Sequence, residues 1–338
     1  MITRDKIAGS FYGLALGDAL GRPTEFMSLK HIKRTYGSYG VMSLPRPALF
    51  TDDTQMTLAV ARAVGAARWF GPNELVRTLT TEFLRWAVQD PSRAPGVTCV
   101  TSVRRLAIAR VRHEAWTTAT TVSRGCGANM RVAPTALLPD ADLAVSASQL
   151  QAALTHGDPV AIAATELTAL AIRYAAEGAD LVELPRMLLA RAYTQRGIYR
   201  DRWLRGLHTR WVTRGNLSAE VVMERAWDRI ADTIRGVMMA LADSQTPYDV
   251  CRTLGAAWTA DEALACALYF AVRFGGVPPV AISMAARTSG DSDSIACITG
   301  AIVGAYHGES VWPLHWRARI ERRGDVEDAV DTIWQLWE

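Results

Sequence analysis

Lysine is scarce in this chain of 338 residues. Lys6, Lys30 and Lys33 are the only three, so arginine supplies 34 of the 37 basic residues. Basic residues exceed the 34 acidic ones by three, which gives a formal net charge of +3 at pH 7. This small charge gives no general argument for binding to nucleic acid or to a membrane surface. We attribute the arginine bias to genome composition before function.

Cysteine is also sparse, and no CxxC motif occurs. The five cysteines are odd in number and scattered: Cys99, Cys126, Cys251, Cys266 and Cys297. In a chain of this size the pattern argues against a disulfide framework or a zinc site and predicts free thiols in a reducing cytoplasm. The N-terminus has no charged segment followed by a long apolar core, and no segment has eighteen unbroken apolar residues. We therefore expect neither export nor a membrane span.

Alternating strand patterns bounded by Asn-Gly or Asp-Gly turns are missing. Instead, the run DDTQMTLAVARAVGAARWF (52–70) places Met56, Ala59, Val60 and Ala63 on one helical face. The same period recurs in 159–178, 259–276 and 294–308. No Ser/Gly-rich or charged linker and no internal repeat interrupts the chain. The sequence thus predicts a single all-α domain over residues 1–338.

Glycines recur four residues apart in two of the predicted helices. Gly9, Gly13 and Gly17 share one helical face, and Gly300 and Gly304 share another. Glycine weakens an isolated helix by about 1 kcal/mol per residue. We expect close helix–helix approach in a compact core to compensate for that loss.

Two clusters of oxygen-bearing side chains stand at the starts of predicted helices far apart in the chain. The first lies in FTDDTQM (50–56) and the second in TSGDSDS (288–294). Each cluster alone is explained by helix capping, because Ser, Thr and Asp are favoured N-caps and acids suit the positive end of the helix dipole. Together, hard oxygens without nearby Cys or His ligands are typical of a Mg²⁺, Mn²⁺ or Ca²⁺ site. The six side chains are Thr51, Asp52, Asp53, Asp291, Asp293 and Ser294.

Two further carboxylates lie in GLALGDALGRPTEF (13–26). Glu25 follows Pro23 and Thr24, so we place it where a helix gives way to a loop. It is either an exposed loop carboxylate or a general base that positions water. Asp18 lies inside the glycine-rich helix, and we interpret it as a buried structural partner.

Three loops and one basic segment complete the pattern. The loops are 37–50, the Pro- and Gly-containing 89–98, and the glycine-rich 123–134. The segment 186–215 carries eight arginines interleaved with Tyr and Trp. A solvated helical face is the favoured interpretation of this segment; a nucleic-acid surface is the less favoured alternative.

In these motifs the chain resembles the ADP-ribosylglycohydrolase family, which includes ADP-ribosyl-[dinitrogen reductase] and ADP-ribosylarginine hydrolases. The resemblance spans nearly the whole chain in order, and six motifs together are far more specific than any one. Ser292 and Ser294 replace the more usual Thr, Phe50 replaces a common Trp, and 180–250 matches no motif. The motifs are GLALGDALGRPTEF, FTDDTQM, GCGANMRVAP, LTHGDP, WTADEALACALY and SGDSDSIACITGAIVGA.

The resemblance implies a compact, orthogonal helical bundle with a binuclear Mg²⁺ centre at the base of a cleft, Mn²⁺ being an alternative ion. It implies that the six oxygen-bearing residues are the metal ligands and that Glu25 is catalytic. It also implies that ADP-ribose is held by Gly96, Ser123, Gly125, Gly127 and His156. For His156, a purely structural role is about equally consistent with its sequence context. A backbone role for the loop is favoured over a reactive Cys126 thiol.

The predicted function is Mg²⁺-dependent hydrolysis of the bond between ADP-ribose and a modified macromolecule, foremost protein arginine. One alternative is another linkage, to serine, a nucleobase or a small conjugate. Another is a protein that neutralises an ADP-ribosyltransferase by binding it. ADP-ribose is the expected product, and the sequence does not name the leaving group.

Overall fold

The computed structural model describes residues 1–67, 70–89, 93–211, 217–243 and 249–338. Within these ranges every extended element of regular structure is helical, and β-pairing is limited to three isolated bridges. The prediction of an all-α fold is therefore confirmed. The α-helices are α1 (Arg4–Gly21), α2 (Leu29–Tyr36), α3 (Asp52–Gly65), α4 (Pro72–Ala87), α5 (Val97–Val111), α6 (Trp116–Ala119), α7 (Ala133–Ala136), α8 (Ala141–Ala153), α9 (Pro159–Glu177), α10 (Leu184–Thr194), α11 (Asp201–Leu204), α12 (Ala219–Ala242), α13 (Cys251–Leu254), α14 (Ala260–Phe274), α15 (Pro278–Ala285), α16 (Ser292–His307), α17 (Leu314–Arg317) and α18 (Arg323–Trp334).

The helices begin and end where local chemistry favours it. In α9, the Asp158 carboxylate caps the first turn by accepting from Val160 N at 2.8 Å, and Pro159 stands at the first helical position. The helix stops at Gly178, whose φ of 95° is a left-handed conformation that glycine adopts readily. Short 3₁₀ helices connect other elements at Cys126–Ala128, Leu181–Glu183, Arg205–Trp211 and Glu309–Val311.

The centre of the fold is the antiparallel contact of α1 with α16. A Cβ built on Gly9 would overlap Gly304 O, and one built on Gly13 would overlap Gly300 O. Farther along, Gly21 lies against the Asp293 backbone. The glycines thus permit backbone-to-backbone packing, as predicted. This packing brings the end of α1 beside the start of α16.

One continuous hydrophobic cluster surrounds this pair and extends from Ile2 to Ile333. None of the described helices is long and apolar enough to cross a membrane. All five cysteines are free thiols, as predicted.

The arginine-rich segment is tied into the fold by ion pairs. Arg191 contacts the buried Glu166 at 2.6 Å, and Arg196 contacts Asp228 at 2.8 Å. These contacts support the interpretation of this segment as an ordinary helical surface. Parts of four predicted segments lie outside the described residues. Residues 68–69 belong to the predicted helix 52–70, and 90–92 belong to loop 89–98. Residues 212–215 belong to the arginine-rich segment, and 212–216 and 244–248 belong to the stretch 180–250, which matches no motif.

Candidate active site

A cleft of about 420 Å³ opens where the turn after α1, the starts of α3 and α16, and the glycine-rich loop meet. The structure therefore brings together most of the side chains predicted from the two ends of the chain. Thr51 and Ser123 are not among the residues that line the cleft. The predicted residues that line the cleft are Glu25, Asp52, Asp53, Gly96, Gly125, Gly127, His156, Asp291, Asp293 and Ser294.

The first oxygen cluster caps α3 and is held by a carboxylate below it. The Thr51 hydroxyl accepts from Asp53 N at 3.3 Å, so the capping interpretation is correct as far as it goes. Asp18 is fully buried and accepts from Thr51 N at 2.8 Å and from Thr54 N and Oγ1 at 3.0 and 2.6 Å. Since Asp18 satisfies these donors, Asp52 and Asp53 are free to face the cleft. The prediction of a buried structural partner is confirmed.

The second cluster caps α16 from across the cleft. The Asp291 carboxylate accepts from Ser294 N at 3.4 Å. The thiol of Cys126, from the glycine-rich loop, donates to Asp291 Oδ2 at 2.9 Å. This contact joins the loop to the aspartate cluster, and nothing in the local sequence indicated it.

Glu25 stands in the turn after α1, as predicted. Its backbone N–H donates to Gly21 O at 3.1 Å, and the neighbouring Thr24 hydroxyl donates to Ala286 O at 2.6 Å. Glu25, Asp291 and Asp293 each offer a carboxylate oxygen, and these three oxygens lie within 4.8 Å of one another. Glu25 is half-buried, whereas the two aspartates are buried.

The packed carboxylates raise one another's pKa values. Burial, followed by the charge of Asp293, raises the pKa of Glu25 to about 9 and that of Asp18 to about 7. The same causes, in the same order, raise the pKa values of Asp52 and Asp53 well above their usual range. Among the described basic side chains, none forms an ion pair with these carboxylates. The cluster would be costly to ionise without cations between its members.

The donor set fits a hard divalent cation. Asp53 Oδ2 and Asp293 Oδ1 are buried, and neither has a hydrogen-bond partner. Buried polar atoms are rarely left so, and both residues line the cleft, where each carries a hard oxygen without a hydrogen-bond partner. Carboxylate and hydroxyl oxygens are the ligands that Mg²⁺ and Mn²⁺ prefer.

The glycine-rich loop and His156 form the opposite wall. A Cβ on Gly125 or Gly127 would stand 3.2 to 3.3 Å from His156 Nε2, so a side chain at either position would crowd the imidazole. Ser123 orders the loop, since its Oγ accepts from Gly125 N at 3.2 Å. Ser123 thus holds the loop that forms this wall, although it does not line the cleft.

An ion pair between residues far apart in the sequence fixes the side of the cleft that is formed by residues 94–96. Arg93 makes a two-pronged contact with Glu321, at 2.6 and 2.9 Å, and its carbonyl accepts from Asp52 N at 3.0 Å. Three residues later, Gly96 N donates to Asp52 Oδ2 at 3.4 Å. Sequence reasoning missed this arrangement because Arg93 and Glu321 are 228 positions apart.

Two exposed aromatic rings stand at the mouth of the cleft. Phe26 directly follows Glu25, has a positive φ of 62°, and stacks on Trp258 with ring centroids 5.2 Å apart. Both rings line the cleft, with exposed fractions of 74% and 41%. Large exposed aromatic faces beside a polar pocket are unusual outside binding sites. Sequence reasoning missed Phe26, which was noted only as the last residue of the motif GLALGDALGRPTEF.

The fold is all-helical and surrounds a cleft lined by carboxylates on one side and by a glycine-rich loop on the other. The family model for ADP-ribosylglycohydrolase matches residues 1–338, and the chain belongs to that family. It is therefore a hydrolase of ADP-ribosyl groups. The predicted resemblance is confirmed.

Named relatives share this assignment. The chain is 26% identical to ADP-ribosylhydrolase ARH3 of Xenopus tropicalis, over 98% of this chain and 95% of that protein. It is 36% identical to ADP-ribosyl-[dinitrogen reductase] glycohydrolase of Rhodospirillum rubrum, over 47% and 54%. It is 24% identical to ADP-ribosylarginine hydrolase Tri1 of Serratia proteamaculans, over 98% and 80%. A solved structure titled ADP-ribosylglycohydrolase-related protein complex shares the fold, with a TM-score of 0.68 and 24% identity over 99% of both chains.

Proposed function

We propose that the chain hydrolyses, with Mg²⁺, the bond between ADP-ribose and a modified macromolecule, with protein arginine as the foremost acceptor. One observation carries the proposal: two helix N-termini from opposite ends of the chain bring four buried aspartates to one cleft beside Glu25. An arginine acceptor is supported by the similarity to ADP-ribosylarginine hydrolase Tri1 of Serratia proteamaculans. A serine, nucleobase or small-molecule linkage is the alternative.

The oxygens of Thr51, Asp52, Asp53, Asp291, Asp293 and Ser294 would hold the two cations. Bound Mg²⁺ would act as a Lewis acid toward ribose oxygens and help to generate a nucleophilic water. Mn²⁺ has the same ligand preferences and is the alternative ion. The unpartnered oxygens of Asp53 and Asp293 support this assignment.

Glu25 is the residue we assign to proton transfer. Glycosidic cleavage passes through an oxocarbenium-like state, and attack by water requires a group that accepts its proton. Glu25 is half-buried at the edge of the cluster, with its side chain facing the cleft. It therefore reaches substrate without being enclosed by the aspartates. Loss of charge repulsion on cation binding would lower its raised pKa toward the range that a general base needs.

The opposite wall would hold the ADP-ribosyl unit. Gly125 and Gly127 present backbone rather than side chains to the cleft, and glycine-rich turns can offer N–H groups to phosphate oxygens. His156 stands beside them with its Nε2 toward the loop. The Phe26–Trp258 pair at the mouth faces the side where the macromolecular acceptor would enter.

The test is release of free ADP-ribose from arginine-, serine- and nucleobase-linked substrates, followed by chromatography and mass spectrometry. Mg²⁺-dependent release from the arginine-linked substrate, abolished by EDTA, is the expected result. Glu25→Gln should slow release by about 10²–10⁴-fold, the usual contribution of general-base catalysis. Glu114→Gln is the matched control, since Glu114 is exposed and outside the cleft.

Three results would count against the proposal in different ways. If only the serine- or nucleobase-linked substrate were cleaved, the proposed arginine acceptor would be wrong, whereas the proposed mechanism would stand. Failure to release ADP-ribose from any substrate, with folded protein and calorimetrically detected Mg²⁺ binding, would overturn the proposed reaction. Full activity of Glu25→Gln would remove Glu25 from its assigned role.

A further inference from the structure

Arg131 is a buried cation behind the wall that carries His156. Its side chain is 0% exposed, and its guanidinium carbon lies 4.6 Å from the Phe83 ring centroid. It donates to Gln151 Oε1 at 2.8 Å and to Gln151 O at 2.9 Å. No described carboxylate forms an ion pair with it. Its Nη1 also lies 3.4 Å from Met56 Sδ and 3.6 Å from Cys99 Sγ. A buried charge without a carboxylate counter-ion is costly to retain, so its further contact with Thr155 invites a functional explanation.

The contact of Arg131 with Thr155 leads to His156. Arg131 Nη2 donates to Thr155 Oγ1 at 2.6 Å, and Thr155 Oγ1 lies 2.9 Å from His156 Nδ1. A guanidinium has donors only, so the Thr155 oxygen must accept from Arg131. The hydroxyl hydrogen then points to its one other described partner, His156 Nδ1. An Nδ1 that accepts carries no hydrogen.

A neutral imidazole with a bare Nδ1 carries its hydrogen on Nε2. Burial, followed by the charge of Arg131, lowers the pKa of His156 to about 3, which keeps the ring neutral near pH 7. Nε2 is the edge of the ring that faces Gly125 and Gly127 in the cleft. The hydrogen is therefore presented where a ligand oxygen would lie.

We propose that Arg131 and Thr155 are positioning residues, which fix the Nε2–H tautomer of His156 so that it donates to an acceptor oxygen of the bound ADP-ribosyl group. The ligand part of this inference rests on the proposed function. The tautomer part does not, because it follows from the hydrogen bonds of the protein alone. His156 would thus bind substrate as an uncharged donor rather than as an acid or base.

The first experiment reads the tautomer directly in substrate-free wild-type protein. Long-range ¹H–¹⁵N correlation spectra of ¹⁵N-histidine-labelled protein distinguish protonated from bare ring nitrogens. His156 is assigned by its loss in His156→Gln. His307 is an internal reference, since its Nε2 lies 2.7 Å from the carbonyl of Gly275 and must carry the hydrogen. Both rings should show Nε2–H. A His156 ring protonated on Nδ1 would overturn the inference.

The second experiment breaks the relay, that is, the hydrogen-bonded chain from Arg131 through the Thr155 hydroxyl to His156 Nδ1. Thr155→Val removes the hydroxyl at nearly constant volume, and Thr155→Ser restores it. We expect mixed tautomers at His156 and about 2- to 10-fold weaker calorimetric affinity for ADP-ribose in the valine variant, the range for one neutral hydrogen bond. The serine variant should recover both properties. Thr299→Val makes the same change at another buried threonine and should alter neither.

The outcomes separate this inference from the proposed function. An unchanged tautomer and affinity in Thr155→Val would overturn the relay even if the protein hydrolyses its substrate. If wild-type protein neither binds nor releases ADP-ribose, the proposed function fails, while an Nε2–H signal would still support the tautomer. If Thr155→Val does not fold, the wild-type spectrum alone decides the tautomer.

Discussion

Gly13 of α1 and Gly300 of α16 face each other so closely that each carbonyl oxygen fills the space of the other residue's missing Cβ. This contact continues to Gly21, which lies against the backbone of Asp293. The turn after α1, which carries Glu25, and the helix that begins at the second aspartate cluster are thereby fixed to each other. The geometry of the carboxylates depends on a helix contact rather than on the carboxylates themselves.

Gly300→Ala should therefore destabilise the protein. The new methyl group would overlap Gly13 O, and overpacking of this kind costs about 1–3 kcal/mol, more than the gain of about 1 kcal/mol in helix propensity. Urea unfolding measures the change in free energy. Gly236→Ala on α12 is the control, because only open space and a distant side chain surround that position. It should be neutral or stabilising; equal midpoints for the two variants would contradict the packing argument.

Asp18→Asn should weaken both the fold and the first aspartate cluster. Asp18 accepts three hydrogen bonds from Thr51 and Thr54. In Asp18→Asn, the side-chain NH₂ replaces one of the accepting carboxylate oxygens and would face these donors. We expect about 1–3 kcal/mol lower stability, the cost of leaving buried donors unpaired, and weaker Mg²⁺ binding. Unfolding curves and calorimetry measure the two effects. Asp328→Asn on the exposed face of α18 should change neither, and wild-type Mg²⁺ affinity in Asp18→Asn would contradict the role given to Asp18.

Without divalent cations, the stability of the protein should fall as pH rises from 6.5 to 8.5. Asp18 and Glu25 have folded-state pKa values raised to about 7 and about 9, so the folded chain holds protons that the unfolded chain has released. The stabilisation that such a group contributes is fully present below its pKa in the unfolded chain, and it is lost as pH rises through its pKa in the folded chain. His156, whose pKa is lowered to about 3, affects stability only below about 6.5, outside this window.

Thermal unfolding in EDTA and in Mg²⁺ tests this dependence. The melting temperature in EDTA should drop between pH 6.5 and 8.5, and Glu25→Gln should reduce the drop. Added Mg²⁺ should raise the melting temperature most at the higher pH, because cations bind the ionised carboxylates. A melting temperature in EDTA that rises across this interval would contradict the assigned pKa directions.

Cys126 should be the first thiol to react with iodoacetamide. It is half-buried and lines the cleft, whereas the other four cysteines are buried. Burial, followed by the charge of Asp291, raises its pKa well above the usual range, so alkylation should be slow at pH 7 and faster at pH 9. Peptide mass spectrometry locates the modified residue. ADP-ribose should slow the modification, and first labelling at Cys251 would contradict this order.

The helices were predictable from local patterns. The apolar period of 52–70 and the Asp158-Pro159 start of α9 depend on residues three or four positions apart, within reach of sequence reasoning. The start of each oxygen cluster was equally visible, because N-caps are local. Even the glycine spacing of α1 indicated a close helix contact, although not its partner.

The sequence by itself determined the helical class, the two oxygen clusters and, through six ordered motifs, the family. Only the tertiary structure decided that the clusters share one cleft, that Asp18 holds the first of them, and that Arg93 pairs with Glu321. It alone showed Arg131 behind His156 and Cys126 against Asp291. The physical reason is distance along the chain: local propensity fixes each helix, whereas helix packing decides which distant side chains meet.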